Sequence, residues 1–249
     1  SLVPRPAFWP SSVHAIGFLV GAESSSQADQ RCLQSAPATH GLVTGATKPL
    51  YMGFGSSSPL LLQGQSVALP ETLACAALEV ARVKHCGLIL HCCGCEDLCS
   101  RWYEVLLQAG CDPISGDTNS PSGERELLLP QYKHASHLAV SVALVRGELP
   151  LEWVFSRCVA AAHHGGAGTS HTAIRAGVPQ LILPLIFDQF ATAERVEHAG
   201  VGMRLRRAAL DAAGSGAATS ELLRALTAVL EPEAMAHVEA KEKGKALAE

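Results

Sequence analysis

The sequence predicts an α/β fold, in which a parallel β-sheet is covered by helices on both faces. Short apolar runs typical of buried strands alternate along the chain with amphipathic segments typical of helices. Strands that alternate with such helices pair in parallel, and the helices bury both faces of the sheet. The predicted strands lie within 49–56, 88–90, 159–162 and 180–183, and the predicted helices within 70–86, 96–108, 168–176, 190–198 and 220–230.

Local signals mark where these elements begin and end. The first strand runs from Pro49 into a Gly-Ser turn, and Pro70 then opens a helix that Gly87 stops. Gly177 ends the helix over 168–176, with a proline two residues beyond it, and Gly200 ends the helix over 190–198. In the other two helices the apolar residues share one face: Leu98, Trp102, Val105 and Leu106, and then Leu222, Leu223, Leu226 and Leu230.

The domain organisation follows from shifts in composition. Residues 1–48 are rich in Pro, Ser, Ala and Gly with little periodicity, which favours a linker or interdomain crossing segment. Residues 49–231 form the predicted α/β domain. Within it, the polar residues 111–126 predict a mobile loop insertion, and residues 127–145 are ambiguous, with room for one strand. Residues 232–249 predict an exposed helical tail.

The composition excludes several functional classes. The chain of 249 residues carries a net charge of −4, without the basic excess that nucleic-acid binding needs. Its apolar runs fall well short of the roughly 20 residues of a membrane-spanning helix. No signal peptide opens the chain, and its nine cysteines suit reduced thiols, so we expect a cytoplasmic protein. Because the chain begins with Ser1 rather than Met, we interpret it as a fragment or a processed product.

One cluster of cysteines suggests a zinc hypothesis. It comprises His91, Cys92, Cys93, Cys95 and Cys99. Its spacing fits neither a paired CxxC knuckle nor a zinc finger. The alternative, which we favour, is a set of small buried residues at the end of a strand. We therefore expect no metal site.

The strongest functional signal is the HHGGAGT turn over residues 163–169, which follows a strand and opens a helix. Glycines let the backbone approach an anion closely, and the free N–H groups of the helix start point toward it. Thr169 adds a hydroxyl donor, and His164 adds a ring donor that is charged or neutral. Tight packing also selects glycine, so on this segment alone an anion site and a packing turn both stay open.

Two further signals lie near this turn. Asp188 and Gln189 follow the strand over 180–183, at the edge of the sheet where α/β proteins bind ligands. A carboxylate beside a carboxamide suits vicinal hydroxyls, although Asp188 is also placed to cap the next helix. The third signal is the apolar segment 150–155, in which Trp153 and Phe155 either floor a pocket for a flat base or belong to the core.

In this order and spacing, these motifs resemble the C-terminal donor domain of the sterol and macrolide glycosyltransferases. The family pattern runs from a PHDW-like loop through a cysteine, HHGGAGT, an AGVP turn and a strand to an Asp-Gln pair. The matching residues are Pro150, Glu152, Trp153 and Cys158, then His164 through Thr169, Ala176 to Pro179, Asp188 and Gln189. Residues 51–56, YMGFGS, match the opening strand and turn, and Pro4, Pro6, Trp9, Gly17 and Phe18 are similar to the interdomain segment of sterol glucosyltransferases.

The resemblance implies the C-terminal half of a GT-B enzyme, with two Rossmann-like domains facing a cleft and UDP-glucose as donor. It implies that His164 and the amides of 166–169 hold the diphosphate, and that Ser56 also approaches it. Asp188 and Gln189 would hold the sugar hydroxyls, and the segment around Leu151 would meet the uracil. The implied UDP-sugar site is therefore Ser56, Leu151, His164, Gly165, Gly166, Ala167, Gly168, Thr169, Asp188 and Gln189.

Three positions depart from the family pattern. The family's histidine after the proline is Leu151 here, which removes a side-chain contact to the base. The family's Gly-Trp pair appears as Gly94-Cys95, and 111–126 resembles an insertion. The phosphate and sugar motifs are intact, so we expect these departures to affect base selectivity more than donor binding.

The resemblance also implies an inverting transfer of glucose from UDP-glucose to a sterol or other lipid hydroxyl. The family's base, a histidine oriented by an aspartate, lies in the N-terminal acceptor domain, so we expect no catalytic residue in this chain and little transfer by it alone. Helix amides and His164 would neutralise charge on the leaving diphosphate, so we expect neither metal nor cofactor.

Two alternatives stay open. One is a donor-binding subunit of a split glycosyltransferase, paired in trans with a membrane-bound acceptor half. The other is a non-catalytic nucleotide-sugar-binding module. We favour a fragment of a complete enzyme with the acceptor domain in cis, because residues typical of the two-domain linker stand at the start of the chain. Peripheral contact with membranes is left open.

Overall fold

Six parallel strands form the centre of the sheet in the computed structural model, which describes residues 7–13, 23–63, 68–115, 125–129, 140–206 and 216–231. The strands are β1 (Leu50–Gly53), β2 (Leu88–His91), β3 (Asp112–Ser115), β4 (Arg125–Leu129), β5 (Val140–Val145), β6 (Ala160–His163), β7 (Gln180–Ile182) and β8 (Gly202–Arg204). Their order in the sheet is β3-β4-β5-β2-β1-β6-β7-β8. Among the described strands, two pairs at one edge are antiparallel, β3 with β4 and β4 with β5.

Nine helices accompany the sheet in the part of the chain that the structure describes. They are α1 (Ser25–Ser35), α2 (Pro37–Thr44), α3 (Leu60–Gln63), α4 (Leu69–Lys84), α5 (Glu96–Gln108), α6 (Leu151–Phe155), α7 (Ala167–Ala176), α8 (Gln189–His198) and α9 (Gly216–Leu230). A short 3-10 turn, Gly55–Ser57, follows β1. No described helix combines the length and the apolar content needed to cross a membrane.

The strands bury side chains on both faces, as a doubly covered sheet requires. On one face, Leu50 and Met52 of β1 belong to a core with residues of α4, α5 and α9. On the other face, Tyr51 belongs to a core with residues of α1, α2, α6 and α7. Residues of α8 pack with Ile182 of β7 in a third, smaller cluster. The predicted α/β fold with helices on both faces is therefore confirmed.

The parallel register brings the functional segments to one edge of the sheet. Gly53 at the end of β1 aligns with His91 of β2 and with His163 of β6. His163 in turn aligns with Ile182 of β7. The turns that follow β1, β6 and β7 consequently start at the same level and lie side by side.

The structure corrects the sequence-based prediction in three places. The segment 1–48, interpreted as a linker or interdomain crossing segment with little periodicity, contains α1 and α2. The predicted loop over 111–126 is wrong at 112–115, which form the edge strand β3, and at 125–126, which begin β4, while 116–124 lie outside the described residues. Residues 127–145 contribute to two strands, β4 and β5, rather than one. The predicted tail over 232–249 also lies outside the described residues.

Candidate functional site

The glycine-rich turn lies between β6 and α7, at the edge where the parallel strands end. Gly166 occupies the N-cap position of α7, and no side chain caps this helix start. Ala167 and Gly168, the first two residues of the helix, are exposed. The first N–H groups of a helix have no partner within it and carry the positive end of its dipole. The backbone therefore presents an uncapped, accessible group of donors suited to an anion.

The three glycines of the turn differ in what packs against them. Gly165 has φ +85, and an added Cβ would lie 2.5 Å from Cγ2 of Ile182. At Gly166 an added Cβ would lie 2.3 Å from Nε2 of His164. At Gly168, by contrast, an added Cβ would meet nothing within 4 Å. Packing thus explains the first two glycines, whereas the space beside Gly168 is open to a ligand.

His164 is buried beside this helix start and has an unsatisfied nitrogen. Its side chain is 6% exposed, and its Nδ1 has no hydrogen-bond partner. Burial lowers the pKa of His164 to about 4, although the nearby Asp188 carboxylate acts in the opposite direction. The turn after β1 lies against the same ring, because a Cβ added at Gly55 would be 3.0 Å from Cε1 of His164. Several other buried side-chain atoms of the described residues also lack a hydrogen-bond partner, so it is the position of His164 beside the helix start that makes this nitrogen a candidate to bind a ligand.

The neighbouring His163 has a structural role instead. The Gly165 N–H donates to its Nδ1 at 3.1 Å, so Nε2 carries the proton and donates to Oε1 of Gln180 at 3.0 Å. Burial lowers the pKa of His163 to about 3, which keeps the ring neutral. This pair of bonds holds the glycine turn to β7.

The turn after β1 adds two serines with different environments. Ser56 is exposed at this turn, as a residue available to a ligand should be. Ser57 is 7% exposed, and its hydroxyl accepts a hydrogen bond from Nε2 of Gln189 at 3.0 Å. The loop that carries the acid–amide pair is thereby tied to the turn that carries Ser56.

The structure separates the roles of Asp188 and Gln189. Gln189 is 5% exposed, and its Oε1 accepts from the amides of Leu185 at 2.8 Å and Ile186 at 3.1 Å. Asp188 is exposed at the N-cap position of α8, but its side chain makes no capping bond. The expected side-chain cap is therefore not formed, and the carboxylate is accessible. Gln189 organises the loop, so a role for this pair in binding hydroxyls rests first on Asp188.

Leu151 lies in a cleft of about 520 Å³ between α1, α6 and α7. Phe155 is a core residue with an exposure of 0%, whereas Trp153, 5% exposed, belongs to the core and also lines the cleft. Trp153 stacks on His40 with ring centroids 5.7 Å apart, and the Arg157 guanidinium lies 4.1 Å from its centroid. The polar lining of the cleft includes Glu23, Ser24, Arg31, Glu152, Thr172 and Arg175.

The structure contains one set of hydrogen bonds at this edge that the sequence did not predict. The Tyr51 hydroxyl donates to Nδ1 of His91 at 2.8 Å, and Nε2–H of His91 donates to the Gly147 carbonyl at 2.7 Å. Burial lowers the pKa of His91 to about 4, so the ring is neutral. This chain of bonds fixes the segment between β5 and α6. No local pattern signals it, because its members come from three separate strands or their ends.

His91 also belongs to the cysteine cluster considered for zinc. Both of its ring nitrogens are engaged in the bonds to Tyr51 and Gly147, and Cys92 interacts with Cys99 instead. Within the described ranges, no three His, Cys, Asp or Glu side chains are grouped so that they could hold a metal ion.

Comparisons with known proteins identify related sequences. Residues 127–249 match the sequence family described as erythromycin biosynthesis protein CIII-like, C-terminal domain. A sterol 3-beta-glucosyltransferase of Emericella nidulans is 31% identical over 207 residues, which are 83% of this chain and 12% of that protein. One from Aspergillus terreus is 53% identical over 58 residues, 23% of this chain and 4% of that protein. The chain thus spans only a small part of the length of these relatives.

A solved structure shows the same fold. Medicago truncatula UGT71G1, determined in complex with UDP-glucose, superposes with a TM-score of 0.54 at 15% identity, over 93% of this chain and 41% of that one. At this identity the similarity concerns the fold alone. The fold of this chain corresponds to one half of a GT-B glycosyltransferase. Residues 127–249 of this chain are thus similar to the EryCIII-like C-terminal glycosyltransferase domain.

Proposed function

We propose that this chain is the donor-binding half of a hexosyltransferase that uses UDP-glucose and glucosylates a sterol or other lipid hydroxyl with inversion. The observation that carries the proposal is His164, a buried histidine whose Nδ1 has no partner, beside the uncapped start of α7. The sugar and acceptor classes are suggested by the names of the sterol glucosyltransferases that the chain resembles.

The diphosphate would occupy the helix start. The amides of residues 167–169 would donate to its oxygens, with the helix dipole favouring the negative charge. His164 would contribute one ring N–H, and Ser56 and Thr169 would contribute hydroxyls. These donors stabilise charge that develops on UDP as it leaves, which is the contribution that a donor domain makes to the rate. Backbone donors then serve where other enzymes use a metal ion.

The remaining parts of the donor would lie on either side of the diphosphate. The hexose would contact Asp188. The exposed carboxylate of Asp188 lies close enough to His164 to oppose the lowering of its pKa by burial. The base would enter the cleft that Leu151 and Thr172 line. In this cleft Arg31 and Arg175 are paired with Glu23 and Glu152, and the Arg157 guanidinium lies over the Trp153 ring. The base that deprotonates the acceptor would come from an acceptor domain, in cis or in trans. A lipid acceptor implies peripheral contact with a membrane from the cytoplasmic side.

Calorimetric titration of the chain with UDP, UDP-glucose and uridine tests the proposal. We expect UDP to bind to the wild-type chain. The substitution His164→Ala should lower the affinity for UDP by about 10- to 100-fold, the effect of losing a hydrogen bond to a charged group. Uridine affinity should stay unchanged, because uridine has no phosphate. His198→Ala is a matched control, since this exposed histidine lies in the last turn of α8.

Two results would contradict parts of the proposal. Unchanged UDP affinity in His164→Ala would remove the phosphate role of this residue. A glucosyl-transfer assay on ergosterol or sitosterol tests the placement of the base, and rapid turnover by this chain alone would overturn it.

A further inference from the structure

Phe187 combines two features that nothing in its surroundings explains. Its side chain is 85% exposed, and its backbone has φ +48. An L residue adopts this left-handed conformation at a cost in conformational energy, and an exposed aromatic ring gains no burial in return. Among the described residues, two other non-glycine residues have a positive φ. His85 ends helix α4, where a left-handed residue is common, and Cys93 lies in the turn between β2 and α5, directly before Gly94. Strain of this kind that packing does not require is concentrated at functional sites.

The position of Phe187 is fixed by its neighbours. Gln189 accepts from the Ile186 amide on one side and donates to Ser57 on the other, so the loop is held at both ends. The loop joins β7 to α8 at the edge where the parallel strands end. Phe187 directly precedes Asp188, the exposed carboxylate that acts electrostatically on His164. The ring therefore stands at the rim of the site rather than on a remote surface.

We propose that Phe187 stacks on the apolar face of the donor hexose, while Asp188 binds the hydroxyls at its edge. A hexose in its chair form has hydroxyls around its edge and C–H groups on its faces, so it needs both kinds of partner. The electron-rich face of an aromatic ring is a favourable partner for such C–H groups, as it is for the edges of other rings. The inference rests on the proposed function and adds to it a residue that discriminates a nucleotide sugar from the bare nucleotide.

The test compares UDP-glucose with UDP in the wild-type chain and in Phe187→Gly. Glycine adopts φ +48 without the steric cost that an L residue has there. This gain exceeds the extra loss of chain entropy of glycine, so we expect the variant to melt at a higher temperature. We also expect its affinity for UDP-glucose to fall about three- to tenfold, the range of one aromatic contact, with UDP affinity unchanged. A gain in stability together with a loss of sugar affinity separates a binding role from a structural one. Phe187→Tyr, which keeps the ring, should retain the wild-type ratio of the two affinities.

An unchanged ratio in Phe187→Gly would overturn the inference while leaving the proposed function intact. The same holds if glucose adds nothing to the affinity of UDP for the wild-type chain. If the wild-type chain fails to bind UDP at all, the proposed function itself is wrong, and the role of Phe187 falls with it.

Discussion

Two glycines of the glycine-rich turn differ in whether the fold requires them. Gly165 meets two requirements of the fold, a positive φ and the close approach of Ile182. Gly168 meets neither, since its surroundings leave room for a side chain. A residue that costs helix stability and is not required by packing suggests another reason for its presence.

Alanine substitutions at these two glycines should have opposite effects. Gly165→Ala should lower the free energy of unfolding by at least about 1 kcal/mol, through the left-handed backbone and the contact with Ile182. Gly168→Ala should raise the free energy of unfolding by roughly 0.5–1 kcal/mol, because alanine favours the helix. The same substitution should lower the affinity for UDP. Urea denaturation and calorimetry measure both quantities. A Gly168→Ala variant that binds UDP as tightly as the wild type would argue against a phosphate beside that residue.

At the scale of elements, hydrogen bonds between distant segments position the site. Gln189 reaches Ser57, 132 residues earlier in the sequence, and so joins the loop before α8 to the turn after β1. Tyr51, His91 and the Gly147 carbonyl join β1 and β2 to the segment that leads into α6. These bonds fix the three turns that would receive phosphate, sugar and base relative to one another.

Tyr51→Phe should therefore destabilise the chain without changing its shape. The variant leaves Nδ1 of the buried His91 without a donor, and an unsatisfied buried acceptor costs about 1–3 kcal/mol. Urea denaturation should show this loss, with an unchanged dependence of the unfolding free energy on urea concentration. Replacing His91 as well removes the unsatisfied atom, so the double variant should lose less than the sum of the two single variants. Strict additivity would mean that the two side chains do not interact.

How far the sequence predicts an element depends on whether its cause is local. The helix over 96–108 has the predicted limits, because its apolar face and its flanking residues lie within the segment. Helix α1 also has a local signal, the capping box of Ser24 and Gln27, which the serine-rich composition obscured. Strand β3 has no such signal, since it contains a proline and depends on pairing with β4. The hydrogen bond from Gln189 to Ser57 could not be predicted from the sequence either, because it joins residues that are distant along the chain.

At the scale of the whole molecule, three buried histidines link stability to pH. Burial lowers the pKa values of His91 and His164 to about 4 and that of His163 to about 3. Unfolding returns each ring to its usual pKa near 6.5. The folded state therefore favours the neutral rings. The stability they provide is fully present above about pH 6.5 and is lost as the pH falls toward 4.

Urea denaturation at pH 7.5, 6.0 and 5.0 checks this dependence. Each histidine that takes up a proton only on unfolding contributes up to about 1.4 kcal/mol per pH unit, so the denaturation midpoint should fall steeply below pH 6.5. His164→Asn removes one of these protons, so the unfolding free energy should fall with pH less steeply, by up to about 1.4 kcal/mol per pH unit. A midpoint that stays constant between pH 7.5 and 5.0 would mean that these rings are not held neutral by the fold.

The parallel register of β1, β6 and β7 has an evolutionary consequence. The proposed diphosphate site consists largely of main-chain amides, which no point mutation other than one to proline deletes as long as the turn keeps its conformation. The proposed sugar contacts, in contrast, come from exposed side chains of one short connection, Phe187 and Asp188. Exchanges at those two positions leave the sheet untouched. Descendants of such a chain can therefore diverge in the sugar they accept while they continue to recognise the same nucleotide.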